Sequence, residues 1–356
     1  MAVFWTIVII GLLIFVHEGG HFLVARWCGV GVRKFSLGFG PKVIGKKIGE
    51  TEYVISAIPL GGYVKLLGES PKDKITEEER YYAFIHQSLF KRTLIVLAGP
   101  MANLFFALFI FIFLFMIYGY PHILPKIGEV QEASPAALAG IRANDVIISV
   151  NGQAVNAWEE LATKIQKDKG VLNIKVERNG KIVSLKVIPK IEKIKNIFGE
   201  EIQRPMIGII ASGEVETERF LPWEAALKAF VQTFAITKLT LVTVEKLISG
   251  KLSLKTLAGP VGIVQLTTSR AKAGFAVLLS FAALLSINLG ILNLLPIPIL
   301  DGGHLLFYLI EFIKRKPLSI KTMEIAQSIG LATLILLMLL VTYNDIIRIM
   351  KKSIFP

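Results

Sequence analysis

The chain has 356 residues, 53% of them hydrophobic, and its 40 lysines and arginines against 27 acidic residues give a formal net charge of +13. The mean hydropathy is positive, which argues against an ordinary soluble domain and places the chain among membrane proteins. In such a chain the basic charge is explained by topology and by attraction to anionic lipid headgroups, so we predict no nucleic-acid partner. The single cysteine, Cys28, excludes an internal disulfide.

Four segments approach the roughly 20 apolar residues needed to cross a bilayer. We assign transmembrane helices to residues 1–25, 94–119, 273–304 and 325–346. The first segment lacks the basic start and the small-residue cleavage site of a signal peptide, and residues 25–27 do not fit a lipoprotein signal. The expected fold is therefore a polytopic α-helical membrane protein with four transmembrane helices.

The first segment contains the motif His17-Glu18-Gly19-Gly20-His21. A helix places residues i and i+4 on one face, so His17 and His21 can bind one Zn²⁺, with Glu18 beside them as a proton acceptor. Polar side chains inside hydrocarbon are costly and usually functional. A chance match is the alternative, and a metal centre still needs a third ligand.

The loop of residues 26–93 is rich in lysine and arginine, as is the loop of residues 305–324. Because basic residues concentrate in cytoplasmic loops, we predict both loops to be cytoplasmic. The N-terminus, the region between the second and third transmembrane helices, and the C-terminal tail of residues 347–356 then lie outside the cytoplasm. Within the first loop, residues 53–65 read as strands around a tight bend.

A soluble module is expected between the second and third transmembrane helices. Turn signals at Asn151-Gly152 and Asn179-Gly180, with a short helix at 158–165, separate its strands. The predicted strands cover residues 127–131, 146–150, 171–177 and 182–187. Residues 191–272 form an extracytoplasmic connector, in which 191–219 is a linking segment and 225–248 an amphipathic helix on the outer surface. A fifth transmembrane helix at 225–248 would reverse the direction of the next one.

Pro296 and Pro298 must break the third transmembrane helix, because proline lacks an amide donor. Backbone groups that lose their hydrogen bonds inside the membrane are tolerated only where protein or a water-filled cavity covers them. Asp301 follows this break and, with four transmembrane helices, lies near the same cytoplasmic side as the paired histidines. It is the candidate third ligand, with an ordinary turn at Asp301-Gly302 as the alternative.

Other polar residues have competing explanations. His304 is a second candidate for the third ligand, because imidazole binds zinc equally well. His86 and His122 look like ordinary loop or interface residues, and Asn288 and Asn293 can bond neighbouring helices.

Three motifs together resemble those of the site-2 protease family of intramembrane zinc metalloproteases. They are HExxH at 17–21, AGPxxN at 98–103 and NxxPxxxxDG at 293–302. The resemblance is closest to the bacterial regulator-of-sigma-E protease branch and covers nearly the whole chain. It implies that His17, His21 and Asp301 bind one zinc ion and that Glu18 is the catalytic acid/base. The chemistry agrees, since three protein ligands leave a fourth position for water.

The resemblance also implies a membrane-associated β element near residues 35–67 that contacts substrate. The implied substrate-binding residues are Gly38, Gly40, Gly61, Gly62, Tyr63, Asn293 and Pro296. A helix hides its amides in internal hydrogen bonds, so a protease must unwind it and offer new partners, such as a free strand edge. A solvated hairpin without a substrate role is the alternative.

Residues 132–146 resemble the corresponding stretch of PDZ domains in this family. The resemblance implies one extracytoplasmic PDZ domain, a β-rich α+β unit, over residues 122–190, which either binds chain ends or acts as a size filter. Three departures stand out: one PDZ-like module instead of two in tandem, Asn144 where many relatives have glycine, and Gly19 in place of a bulkier residue. Asparagine tolerates left-handed backbone, so the second departure is mild.

The expected function is an intramembrane zinc endopeptidase of a bacterial inner membrane. Its substrates would be single-span membrane proteins, cut in or near their transmembrane helix; by resemblance they are anti-sigma factors or remnant signal peptides. One alternative is a PDZ membrane adaptor with a vestigial metal site, against which the intact Glu18 argues. Another is a metal transporter, for which more histidines and carboxylates spread over several helices are expected.

Overall fold

The computed structural model describes residues 2–70, 73–168 and 170–354. The chain divides into two compact units: unit 1 comprises residues 1–114 and 222–356, and unit 2 comprises residues 115–221.

Helices and strands follow one another in an order that places most strands in the middle of the chain. The helices of the described residues are α1 (Ala2–Trp27), α2 (Leu89–Ile117), α3 (Pro135–Leu138), α4 (Trp158–Lys167), α5 (Pro222–Ile248), α6 (Pro260–Lys272), α7 (Phe275–Asn293), α8 (Asp301–Lys314) and α9 (Ile320–Ile354). The strands are β1 (Val32–Ile48), β2 (Thr51–Leu66), β3 (Tyr120–Ile123), β4 (Ile127–Val130), β5 (Val146–Val150), β6 (Gln153–Ala154), β7 (Leu172–Arg178), β8 (Lys181–Val187), β9 (Lys190–Lys195), β10 (Glu201–Met206), β11 (Ile209–Ala211) and β12 (Val215–Glu218). Short 3₁₀ turns cover Glu79–Tyr82, Phe84–His86 and Leu254–Thr256.

Within the described residues, five helices are long and apolar enough to cross a membrane: α1, α2, α5, α7 and α9. The first, second, fourth and fifth of these correspond to the four predicted transmembrane helices. The third, α5, is the segment predicted as an amphipathic helix, so length and composition alone do not separate four crossings from five.

The centre of unit 1 is α2, which packs between α1 and α7. A Cβ atom at Gly20 of α1 would lie 2.5 Å from the carbonyl oxygen of Ala98, so these backbones touch only because Gly20 has no side chain. On the other side, Ser286 of α7 donates a hydrogen bond of 2.8 Å to the carbonyl oxygen of Asn103. A Cβ at Gly290 would lie 2.9 Å from the carbonyl oxygen of Pro100.

These contacts fix the helix directions. Along α2, later residues meet earlier residues of both neighbours: Ile95 and Asn103 face His21 and His17 of α1 respectively. In the same way, Pro100 of α2 contacts Gly290 of α7, and the later residue Asn103 contacts the earlier residue Ser286. Helices α1 and α7 therefore run in the same direction, and α2 runs opposite to both.

Strands β1 and β2 form one antiparallel sheet with two registers. Phe35 pairs with both Val64 and Tyr53, so the first part of β1 has β2 on both of its sides. This is possible because both strands bend, at Gly38 and Gly40 in β1 and at Gly61 in β2, where φ is +92°, +87° and +117°. The end of β2, residues 62–66, consequently forms an outer edge, and no other described strand pairs with it.

The proline-containing segment breaks the third predicted transmembrane helix as expected. Helix α7 ends at Asn293 and α8 begins at Asp301, with a turn between them. The turn is tight, because a Cβ at Gly302 would lie 2.2 Å from the carbonyl oxygen of Leu294 and one at Gly303 2.3 Å from that of Ile297. Residues 305–314, predicted as part of a loop, instead continue α8.

Side-chain contacts connect the remaining helices of unit 1. Thr240 of α5 donates a 2.8 Å hydrogen bond to the Asn288 side chain of α7. Asp345 of α9, which is buried, accepts a 2.7 Å hydrogen bond from the backbone amide of Gly262 in the first turn of α6. A free N–H at a helix start is thus satisfied by a carboxylate from another helix.

Unit 2 is built on the four-stranded sheet β6-β5-β7-β8. Strands β4, β5, β7 and β8 agree with the four predicted strands within about one residue, whereas the two-residue strand β6 was not predicted. Its apolar core includes Ile147, Leu161 and Ile174, each at most 1% exposed. Asn144 has φ +68°, the left-handed conformation that asparagine tolerates.

The predicted linking segment of residues 191–219 is instead part of unit 2. Strand β11 pairs with β4, β12 pairs with β3, and β9 pairs with β10. Strands β11 and β12 form by non-local pairing. Their partners β4 and β3 lie about 80 or more residues earlier and need hydrogen-bond partners for their backbone groups.

Candidate metal centre

Helix α1 places the two histidines of its motif together. The Nε2 atoms of His17 and His21 are 3.3 Å apart, and the rings are nearly perpendicular, at 86°. The helical i, i+4 spacing produces this arrangement, as the sequence predicted.

Asp301 completes the group from the start of α8. Its Oδ2 lies 3.1 Å from His17 Nε2, and its Oδ1 lies 3.5 Å from His21 Nε2. Among the described residues these three form the one group of three or more potential metal ligands whose donor atoms all lie within 4.8 Å of one another. His304, the competing third ligand, does not belong to the group.

The geometry of this group fits zinc. Ligand atoms of tetrahedral zinc with bonds of about 2.0–2.1 Å lie about 3.3 Å apart. His17 Nε2 lies 3.3 Å from His21 Nε2 and 3.1 Å from Asp301 Oδ2, and one ligand atom from each of the three residues lies within 4.8 Å of the others. The Oδ2 atom of Asp301 is buried and makes no hydrogen bond within the described part of the chain. A buried carboxylate oxygen that lies close to imidazole nitrogens and has no hydrogen-bond partner is typical of a metal ligand.

Helix α2 orients both imidazoles, which sequence reasoning did not anticipate. His21 Nδ1 lies 2.8 Å from the carbonyl oxygen of Ile95, an acceptor, so Nδ1 carries the proton and Nε2 keeps a free lone pair. Asn103 Nδ2 lies 3.2 Å from His17 Nδ1. A Cβ at Gly99 would lie 2.2 Å from His21 Nε2, so only glycine leaves room for that ring.

Glu18 lies on the side of α1 that faces β2. A Cβ at Gly62 would lie 3.2 Å from Glu18 Cγ and 2.8 Å from Ile14 Cγ2, so Gly62 allows the strand edge to approach the helix. A Cβ at Gly19 would have no described atom within 4 Å, so the small size of this residue leaves the packing around the histidines unchanged.

A cavity of about 850 Å³ adjoins these residues. Among the residues that line it are His17, Glu18, His21, Gly61, Gly62, Tyr63, Asn293, Asp301 and His304. Asn293 Nδ2 also lies 3.3 Å from His17 Nε2. An acidic loop residue, Glu69, lines the cavity as well, and burial raises the pKa of its carboxyl.

Several predicted site residues have other positions. Gly38, Gly40 and Pro296 are not among the described residues that line the cavity; the two glycines form the bend of β1 instead. His86 lies in a 3₁₀ turn and His122 in β3, and neither lines the cavity.

Comparison with known proteins shows the family of the chain. The family model for peptidase family M50 matches residues 5–337. The zinc metalloprotease RasP of Geobacillus kaustophilus is 33% identical over 96% of this chain and 96% of its own length. Relatives with a zinc metalloprotease name in Agrobacterium fabrum and Campylobacter jejuni are 37% and 38% identical, over 96% and 98% of this chain and 94% of each relative.

Two solved structures match part of the chain. The HtrA3 PDZ domain bound to a phage-derived ligand covers 18% of this chain and 58% of that one, with 26% identity and a TM-score of 0.18. The PDZ domain of an SdrC-like protein from Listeria innocua covers 25% of this chain and 92% of that one, with 25% identity and a TM-score of 0.20.

The family match spans nearly the whole chain, and the relatives are aligned over almost their full length. The chain therefore belongs to peptidase family M50, the site-2 proteases, and is an intramembrane zinc metalloprotease.

Proposed function

We propose that His17, His21 and Asp301 hold the zinc ion and that Glu18 is the catalytic acid/base. The observation that carries this proposal is the convergence of the three side chains, since one ligand atom from each lies within 4.8 Å of the other two. When bound, zinc acts as a Lewis acid that makes water a better nucleophile and polarises the peptide carbonyl.

Glu18 moves the proton in this mechanism. Its carboxylate accepts a proton from the water that attacks the peptide carbonyl carbon, and the new carbon–oxygen bond gives a tetrahedral intermediate. The same carboxyl then donates the proton to the amide nitrogen as the carbon–nitrogen bond breaks. The products are a carboxylic acid, which gives up its proton to the amine or to water, and an amine; Glu18 returns to its starting state.

The substrate class we propose is the transmembrane helix of a single-span membrane protein. The outer edge of β2 at residues 62–66 supports it, because an unwound segment can add there as a further strand and replace its lost helical hydrogen bonds. Gly62 and Tyr63 on this edge and Asn293 on α7 line the cavity. Anti-sigma factors and remnant signal peptides are the substrates that fit this class.

The helix directions support four membrane crossings rather than five. Since α2 and α7 run in opposite directions, the chain leaves α2 and enters α7 on the same side of the membrane. Helix α6 has 13 residues and is about 20 Å long, too short for a core of about 30 Å. Without a second crossing to pair with it, α5 contacts the membrane without spanning it.

The proposed location is a bacterial inner membrane. The basic loop between α1 and α2 is cytoplasmic in this arrangement, and both termini and unit 2 are extracytoplasmic. We propose that unit 2 is a PDZ domain, which binds chain ends or restricts access of large substrates.

The competing transporter interpretation finds less support. Among the described residues, potential metal ligands form one group, whereas a transport path needs several groups along the membrane.

The test is cleavage of a model transmembrane substrate by purified protein together with its zinc content. Glu18→Gln is expected to abolish cleavage and to retain zinc, because Glu18 is not a ligand. Alanine variants of His17, His21 and Asp301 are expected to lose both. Retained cleavage in Glu18→Gln would overturn the mechanism, and full zinc occupancy in Asp301→Ala would overturn the ligand set.

A further inference from the structure

The two histidines of the metal centre differ in what holds their other ring nitrogen. For His21 the partner is the carbonyl oxygen of Ile95, which can only accept, so the tautomer is fixed. For His17 the partner is the side chain of Asn103, with 3.2 Å between Asn103 Nδ2 and His17 Nδ1. A carboxamide donates through its nitrogen and accepts through its oxygen. Which of these two atoms faces His17 therefore decides the tautomer of His17.

The surroundings of Asn103 hold its carboxamide against His17. The residue is fully buried, and its Oδ1 has no hydrogen-bond partner among the described residues. Its backbone carbonyl accepts the hydroxyl of Ser286, which secures this turn of α2 against α7. Rotation of the amide about its last bond exchanges the nitrogen and the oxygen at nearly the same positions.

The two amide orientations have opposite consequences for a metal. With the nitrogen facing His17, Nδ1 accepts, and the proton must lie on Nε2, which then cannot bind zinc. With the oxygen facing His17, Nδ1–H donates to Asn103 Oδ1, and Nε2 has a free lone pair directed toward Asp301 and His21. The second orientation gives Oδ1 a donor in His17 and places Nδ2 at the position where Oδ1 has no hydrogen-bond partner.

We propose that Asn103 is a positioning residue of the metal centre, because its side-chain oxygen accepts the Nδ1 proton of His17 and selects the zinc-binding tautomer. The inference rests on the ligand set proposed above. Outer-shell partners of ligating histidines typically change metal affinity about 10- to 100-fold when they are lost.

The experiment compares Asn103→Asp with Asn103→Leu, two side chains with the same branching and the same number of heavy atoms as asparagine. Zinc affinity is measured by chelator competition on the full-length protein in detergent, without substrate. A carboxylate only accepts, so Asn103→Asp is expected to bind zinc at least as tightly as the unchanged protein. Leucine cannot accept, so Asn103→Leu is expected to bind about 10- to 100-fold more weakly.

A purely structural role predicts the opposite order. If Asn103 only packs helices together, leucine retains zinc binding, whereas the buried carboxylate of Asn103→Asp weakens it. That order, or equal losses in both variants, would overturn the inference. Asn288→Leu is the matched control, since Asn288 is an asparagine of α7 that bonds Thr240 of α5; its zinc affinity is expected to be unchanged.

The same measurements separate this inference from the proposed ligand set. If His17→Ala binds zinc as tightly as the unchanged protein, the ligand set is wrong and the role of Asn103 falls with it. If His17→Ala loses zinc but Asn103→Leu does not, the ligand set stands and only the positioning role is wrong.

Discussion

Glycine at position 99 leaves the space that the His21 imidazole occupies. We expect Gly99→Ala to weaken zinc binding at least tenfold, because the added Cβ would lie 2.2 Å from Nε2 and must displace the ring. Zinc affinity measured by chelator competition tests this. Gly19→Ala is the matched control: no described atom lies within 4 Å of its Cβ position, so zinc binding should not change.

Asp145 in unit 2 is a buried carboxylate with three donors. It accepts hydrogen bonds from Nε and Nη2 of Arg178, each 2.7 Å, and from the backbone amide of Arg142, 2.8 Å. We expect Asp145→Ala to lower the free energy of unfolding of unit 2 by about 3 kcal/mol, because Arg178 loses its partner. Hydrogen exchange of unit 2 in the full-length protein measures it, with exposed Glu132→Ala as the control.

The same carboxylate predicts how unit 2 responds to acid. Burial raises the pKa of Asp145, but the hydrogen bonds from Arg178 and Arg142 lower it more, to below its usual value of 3.8. A carboxyl whose pKa is lower in the folded state stabilises fully above the unfolded-state pKa. We therefore expect its contribution to persist above pH 3.8 and to disappear as the pH falls through the lower folded value. Hydrogen exchange at stepped pH should show this loss in the unchanged protein and not in Asp145→Ala.

At the residue scale, the sequence was sufficient where the signal is local. The HExxH spacing predicted that His17 and His21 share one helical face. The roles of Gly99 and Asn103 could not be predicted from spacing, because they depend on the register in which α2 packs on α1, about 80 residues away. The motif that contains Gly99 and Asn103 was visible in the sequence, but its contacts with His21 and His17 were not.

At the scale of elements, α8 is held by an ion pair near its end. Arg92 of α2 donates from Nη2 and Nη1 to the two carboxylate oxygens of Glu311, at 2.6 and 3.2 Å, and its guanidinium lies 5.0 Å from the centre of the Tyr308 ring. Both charged side chains are largely buried, at 14% and 20% exposure. Because α8 begins with Asp301, this pair helps to hold the proposed third ligand in place.

We expect Arg92→Met to lower the free energy of unfolding by about 3 kcal/mol, since Glu311 is left as an unpaired, largely buried charge. Adding Glu311→Met should restore most of the stability, because no charge then remains without a partner. Thermal unfolding of both single variants and the double variant gives the coupling energy. A double variant no more stable than Arg92→Met would contradict this account.

Element prediction followed the same division between local and non-local signals. The breaks at Pro296 and Pro298 and the central strands of unit 2 were predicted, because proline chemistry and turn residues act locally. Strands β11 and β12 were missed, since each has at most four residues and forms only by pairing with β4 and β3. The continuation of α8 through residues 305–314 was missed because its basic end resembled a loop.

For the whole molecule, the direction of each helix decides where every loop lies. In a Cys28→Ser background, we expect Lys251→Cys and Lys193→Cys to react with an impermeant maleimide added outside intact cells or spheroplasts. Lys74→Cys should react only after permeabilisation. All three lysines are exposed side chains, so reactivity reports the side of the membrane. If Lys251→Cys is protected like Lys74→Cys, α5 crosses the membrane and the four-crossing arrangement is wrong.

The sequence favoured four crossings in two ways: charged residues interrupt 225–248, and Asp301 must lie on the same side as the histidines. Length and composition alone did not decide, because α5 is long and apolar enough to span. Helix contacts add an independent argument, since residue pairs such as Gly290 with Pro100 fix a direction that hydropathy cannot.

The opposite directions of α2 and α7 also bear on how such a chain can vary. All three proposed ligands and Glu18 lie in unit 1. In the proposed four-crossing arrangement, the stretch that contains unit 2 leaves and re-enters the membrane on the same side. We therefore expect that another folded domain could replace unit 2 without a change in the residues of the metal centre, provided that its two ends lie on the same side of the membrane.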